Sequence, residues 1–99
     1  IMIFKDVRGV SCPELDCGIA GQNMVLAAHS MGLGTCWVGF TKLAFERTDK
    51  WRKLFNLEYP YEFASSIGIG WPRGRPDGMI ERDTHPVEWY ENGTRTEYC

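Results

Sequence analysis

Hydrophobic and polar positions repeat in different ways along this chain, and each rhythm predicts a different element. Residues 1–7 alternate at period two. Ile1, Ile3 and Lys5 face one way and Met2, Phe4 and Asp6 the other, as in a short strand. A loop around Pro13 follows. Asp16 is the predicted N-cap of a helix that runs to Met31 and stops at Gly32. In this helix Ile19, Met24, Val25, Leu26 and Met31, with several alanines, cover most of the circumference, and only Gln22, Asn23, His29 and Ser30 are polar. A helix apolar almost all round is expected to be buried. Its small residues, Gly18, Ala20, Gly21, Ala27 and Ala28, let a neighbour approach closely, in the core, at a subunit interface, or both.

Thr35–Phe40 reads as a buried strand. Residues 41–56 read as helix in two pieces, with Trp51, Leu54 and Phe55 on one face. Lys42, Arg47, Lys50, Arg52 and Lys53 decorate that stretch and read as a solvated helix face rather than a nucleic-acid patch. Phe63–Trp71 is the clearest strand. Phe63, Ser65, Ile67, Ile69 and Trp71 are predicted to share one face, and Ala64, Ser66, Gly68 and Gly70 the other. The bare face is expected to receive the small-residue helix. The predicted fold class is α+β: a small, mostly antiparallel sheet packed on a buried central helix. Further on, Val87 and Trp89 alternate with Glu88 and Tyr90, and Asn92-Gly93 is a hairpin-turn signal. A strand pair or an extended arm both satisfy that pattern.

Length and charge refine the picture. Ninety-nine residues make one domain with a thin core. An aromatic content of 13% argues against disorder. A net charge of −2 argues against nucleic acid as a partner, and no apolar run is long enough for a membrane span. The charge is uneven. Residues 1–76 carry nine basic and seven acidic residues, net +2, whereas residues 77–99 carry two basic and six acidic, net −4. Residues 1–76 are therefore expected to form the core and residues 77–99 a polar arm of the same domain. Cys12, Cys17, Cys36 and Cys99 show no CxxC spacing, so no metal site is expected. Reduced thiols are favoured over a Cys12–Cys17 disulfide. Asn92-Gly93-Thr94 fits a glycosylation sequon, but nothing else looks secreted. No signal peptide is recognised at the start, since Lys5, Asp6 and Arg8 interrupt the first apolar stretch. A cytoplasmic setting is expected.

Two segments could carry chemistry. In Pro72-Arg73-Gly74-Arg75-Pro76 the two arginines stand two residues apart in an extended segment, so their guanidiniums can converge on a phosphate. Two solvent-exposed arginines in a turn are the simpler reading. In Gly34-Thr35-Cys36-Trp37-Val38-Gly39 the final glycine permits a planar ligand to approach backbone, or simply ends a strand. His29 reads as a core histidine, and His85 has no ligand-type partner nearby. Cys36 among apolar neighbours is expected to be a dull nucleophile.

The run Asp16–Phe40, with its Gln22-Asn23-Met24-Val25-Leu26-Ala27-Ala28-His29 and Gly32-Leu33-Gly34-Thr35-Cys36-Trp37-Val38-Gly39 segments, closely resembles the C-terminal half of the FMN-dependent nitroreductase family. The later Ile67-Gly68-Ile69-Gly70-Trp71-Pro72-Arg73-Gly74-Arg75-Pro76 resembles a second element of that family. The resemblance covers residues 1–76. It implies a homodimer with FMN at the interface, in which Cys36, Trp37, Val38 and Gly39 lie beside the flavin ring near N5 and Arg73 and Arg75 contact the phosphate. A backbone N–H there would steady the anionic reduced flavin without a titrating side chain. The implied reaction is ping-pong: NAD(P)H donates hydride to FMN, which then reduces a nitro compound, a quinone or a similar small acceptor. In the family's N-terminal half an Arg-rich segment and an Asn hold much of the flavin. These 99 residues contain no such run, so about half of a flavin site is expected, as in a C-terminal fragment. The alternatives are a non-catalytic dimerisation or interaction module, and a different chemistry on the same fold, such as reductive dehalogenation or flavin cleavage.

Overall fold

A computed structural model describes residues 1–74 and 78–98. Its elements run β1 (Met2–Asp6), α1 (Pro13–Ser30), β2 (Gly34–Trp37), α2 (Phe40–Arg47), α3 (Asp49–Leu54), β3 (Tyr61–Gly70), β4 (Val87–Glu91) and β5 (Thr94–Tyr98). The class is α+β with antiparallel sheets. One sheet has the order β1-β3-β2, with both pairings antiparallel, and β4 and β5 form a separate antiparallel hairpin.

Helix α1 starts three residues before the predicted cap. Pro13 stands in its first turn after Cys12. There a proline loses no hydrogen bond and its φ is already helical. Asp16 instead accepts a hydrogen bond from the Ser11 hydroxyl at 2.8 Å and contributes negative charge to the first turn. The other end is as predicted. Gly32 takes φ +77°, its N–H donates to His29 O at 3.0 Å, and the Leu33 N–H donates to Ala28 O at 2.9 Å. These are the paired bonds of a Schellman stop.

The sheet carries helices on both faces. Ile3 and Phe4 are consecutive strand residues and so point to opposite sides. Ile3 Cδ1 and the Trp37 indole approach Gly21 of α1. Phe4 joins Phe45, Phe55 and Phe63, at ring-centroid distances of 6.3, 6.2 and 6.1 Å. Phe45 of α2 stacks flat on Phe63 of β3 at 4.3 Å and 9°.

Three expectations need correction. First, Phe63 does not share a face with Ile67. The β1–β3 register passes from Ile3↔Ser65 to Phe4↔Phe63, so one β3 residue is skipped and the alternation inverts there. Second, α1 is not a buried central helix in this chain. Only Gly21 and Ala28 are buried, while Leu15, Ile19, Leu26 and Met31 are each more than half exposed. Three strands cover a single stripe of the helix, through Cys17, Gly21, Val25 and Ala28. Third, the bare glycine face of β3 does not receive α1, which lies on the side of Trp37 and its strand partner Ile67. Ser66 is held by α2, while Gly68 and Gly70 beyond it on that face stay uncovered.

Candidate functional site

The uncovered glycines form a trough. Gly34 pairs with Gly70 and Cys36 with Gly68, so all four residues share one face of the β2–β3 ladder. With Trp71 and Pro72 they line an open concavity of about 320 Å³. Its floor is backbone. A Cβ at Gly70 would meet nothing within 4 Å, and one at Gly68 would sit no closer than 3.7 Å to its nearest neighbour, Cys36 O. Trp71 is 81% exposed beside it.

At one end of the trough β2 turns into α2. The Val38 N–H donates to Ser66 O at 2.9 Å. Gly39 caps α2 with no side-chain hydrogen bond, and a Cβ there would meet open space. Among the described residues the N–H groups of Gly39 and Phe40 have no partner. They are orphan donors of a helix N-terminus, where partial positive charge collects. Within Cys36–Val38–Gly39, then, Val38 has spent its donor inside the fold and Gly39 has not.

At the other end the chain leaves β3 through Trp71 and Pro72 to Arg73, which is exposed and makes no ion pair among the described residues. Arg75 lies outside the described residues, so the predicted convergence of two guanidiniums reduces here to Arg73. Gly39 and Arg73 are not brought together. Gly39 follows the C-terminal end of β2 and Arg73 that of β3, and in an antiparallel pair these are opposite ends of the ladder. Trp37 is divided between two environments. Its ring packs on Gly21, and the residue as a whole is 40% exposed. Cys36 is exposed rather than enclosed by apolar neighbours, with Sγ 3.5 Å from Trp37 O. The thiols of Cys12, Cys17 and Cys36 are free, and Cys17 is pushed up by burial and then by the neighbouring carboxylate of Asp16.

Sequence reasoning missed Ser66, the buried polar side chain of this region. Its Oγ lies 3.2 Å from Val38 O and 2.8 Å from Thr41 Oγ1. Periodicity records Ser66 only as a small residue on a bare face, and no motif marks it.

A second concavity, about 230 Å³, lies between β1, α1 and α2 and is lined by Lys5, Glu14, Lys42, Arg52 and Glu62 among others. Its charges largely satisfy one another. Lys5 pairs with Glu14 and, at 3.5 Å, with Glu62, and Lys42 reaches Glu46 at 3.8 Å. The Glu14 hydrogen bond raises the Lys5 pKa, and Lys5 lowers that of Glu14. Such a neutralised cluster offers less to a ligand than the unpartnered donors of the trough. No group of metal-ligating side chains occurs among the described residues, and no described helix is long and apolar enough to cross a membrane.

Comparison with known proteins bears on the same stretch. The model of the nitroreductase family matches residues 1–71. Over 62 residues, 62% of this chain, the sequence is 45% identical to a curated protein of Methanothermobacter thermautotrophicus provisionally named NADH dehydrogenase/NAD(P)H nitroreductase. The matched stretch spans 31% of that relative's length. No solved structure matches.

Proposed function

The chain belongs to the nitroreductase family, and from that premise we propose that it is the C-terminal part of a flavin site in an NAD(P)H-dependent, nitroreductase-type oxidoreductase. One observation carries the reading: a trough is floored by the glycine backbone of β2 and β3. Past one end of the ladder β2 turns into α2 at Gly39, whose N–H has no partner among the described residues, and past the other β3 leads through Trp71 and Pro72 toward Arg73. These residues fit FMN. A planar ring needs a floor without side chains, its acceptor edge needs a fixed N–H, and its phosphate needs a cation.

In this reading Arg73 and Arg75 would contact the phosphate. Cys36, Trp37, Val38 and Gly39 line the ring, and the Gly39 N–H donates to its acceptor edge. When bound, FMN takes hydride from NAD(P)H and passes it to a nitro compound, a quinone or a similar small acceptor. The chain's own contribution is positional. A backbone donor does not titrate, so its stabilisation of negative charge on the ring is constant across the working pH range. The remainder of the pocket comes from residues outside these 99, in a longer chain or a partner. A homodimer supplies a cover for the apolar side of α1, where Leu15, Ile19 and Leu26 stand exposed.

Titration with FMN tests this. Bound flavin should colour the protein, quench flavin fluorescence and support NAD(P)H oxidation by a nitro acceptor. Protein that stays colourless and leaves FMN fluorescence unchanged is not this enzyme. The exposed side of α1 then favours the second reading, a non-catalytic interaction module.

A further inference from the structure

We infer that Ser66 and Thr41 are positioning residues: their hydroxyl pair holds the β2–α2 turn in the conformation that leaves the Gly39 N–H free at the head of the trough. The geometry stands by itself, and its consequence for the flavin rests on the function proposed above.

Ser66 is 7% exposed and holds both backbone polar groups of one residue, Val38. Its carbonyl accepts the Val38 N–H at 2.9 Å, and its hydroxyl lies 3.2 Å from Val38 O. A carbonyl can only accept, so the single Ser66 hydroxyl proton goes to Val38 O. Thr41 Oγ1, 2.8 Å away, must then donate to Ser66 Oγ. The chain of bonds therefore runs from Thr41 in the first turn of α2, through Ser66 of β3, to Val38 at the end of β2. Gly39 and Phe40 are the two residues spanned, and their N–H groups have no partner among the described residues.

This is an uneconomical way to pack a helix on a sheet. A buried hydroxyl bonded to a half-buried one adds little net stability over apolar groups of the same shape. Their bonds, unlike apolar contacts, are directional, and so they fix the turn's dihedrals. Gly39 has no Cβ to restrict it and no side-chain cap on α2 to hold it. Apart from the clamp, the one hydrogen bond that holds this turn among the described residues runs from the Lys42 N–H to Gly39 O at 3.1 Å. Gly68, two residues beyond Ser66 on the same face, begins the trough. The clamp is thus the boundary between the region α2 covers and the region left open.

The test uses the full-length protein with and without FMN, in wild type and in the variants Thr41→Val, Ser66→Ala and Thr41→Ser. Without flavin, amide hydrogen exchange at Val38 should accelerate about tenfold in Thr41→Val and in Ser66→Ala, as expected for loss of one hydrogen bond. With flavin, FMN affinity should fall about tenfold, and the flavin midpoint potential should move negative as the donor to the reduced ring is lost. Thr41→Ser keeps the hydroxyl and should restore all three readouts. Unchanged exchange at Val38 in both removal variants overturns the clamp. Affinity and potential that follow melting temperature alone, with no rescue by Thr41→Ser, reduce the pair to packing and overturn the positioning role. If exchange responds but wild type binds no FMN, the flavin reading fails and the positioning role for it falls too, while the clamp itself stands.

Discussion

Gly21 has no side chain, and the Trp37 indole stands where one would go. A Cβ at this position would lie 2.8 Å from Trp37 Cζ2 and 3.0 Å from Ile3 Cδ1. The rigid ring cannot swing aside like a flexible chain end. Gly21→Ala should therefore cost about 1–3 kcal/mol as overpacking. For a domain of this size that lowers the melting temperature by several degrees, which thermal denaturation measures; an unchanged melting temperature sinks the close-packing argument. Arg73 is the opposite case, a side chain that makes no ion pair among the described residues. Arg73→Ala should leave the melting temperature unchanged and weaken FMN binding about tenfold, more at low salt than at high, as read by fluorescence titration. Asp6 sets a pH dependence. Hydrogen bonds from the Arg8 side chain and backbone hold its carboxyl down at about 2. A depressed carboxylate pKa contributes stability that is fully present above the unfolded value, near 4, and is lost as pH falls through the folded one. Both partners are exposed, so the effect is small. Asp6→Asn should remove it, so the wild-type advantage in urea midpoint present at pH 5 should shrink steadily as pH falls from 4 toward 2; an advantage that stays constant over that range excludes Asp6 as its source.

At the scale of elements, the phenyl cluster joins α2 and α3 to the sheet. Phe45 is 6% exposed and stacks on both Phe63 and Phe55. Phe45→Ala should cost about 3–5 kcal/mol, visible as a lower denaturation midpoint, and a loss under 1 kcal/mol refutes its role as the central ring. The elements themselves are legible in the sequence where a local signal exists. Gly32 marks the end of α1, the two helical pieces of 41–56 appear, and Asn92-Gly93, with φ +51° and +78°, makes the tight turn of the β4–β5 hairpin. Pro13 misleads only because a proline can open a helix as well as sit in a loop. The faces of β3 are not legible. A skipped residue inverts the alternation between Phe63 and Ser65, and no composition rule locates that irregularity. The candidate site divides in the same way. Glycine spacing points to the trough and to Gly39, but the Ser66–Thr41 pair joins residues 25 apart and exists only once the strand order is known.

Across the whole molecule, the chain does not close on itself. Its radius of gyration is 18.5 Å, where a compact domain of this length has about 13 Å. Among the described residues no large side chain is completely buried. On α1, Leu15, Ile19 and Leu26 fall on one stripe and are 61%, 56% and 58% exposed. In the proposed homodimer that stripe would seat the second subunit. Leu26→Glu should shift a dimer toward monomer in sedimentation velocity, with little change in the far-ultraviolet dichroism of the folded chain; a variant that sediments like wild type excludes the stripe as the interface.

The strand order carries one more consequence. β3 is made last of the three strands and lies between the other two, with Met2 paired to Ser66 and Gly34 to Gly70. Among the described residues, β1 and β2 find no hydrogen-bonding strand until residues 61–70 emerge from the ribosome. The sheet cannot grow by adding hairpins one at a time. It must wait for one long-range closure, whose entropic cost slows folding. During that wait the apolar sides of α1 and the open strand edges are exposed to other nascent chains, which makes this interval the aggregation-prone stage of its biogenesis and the point at which a holdase chaperone would engage.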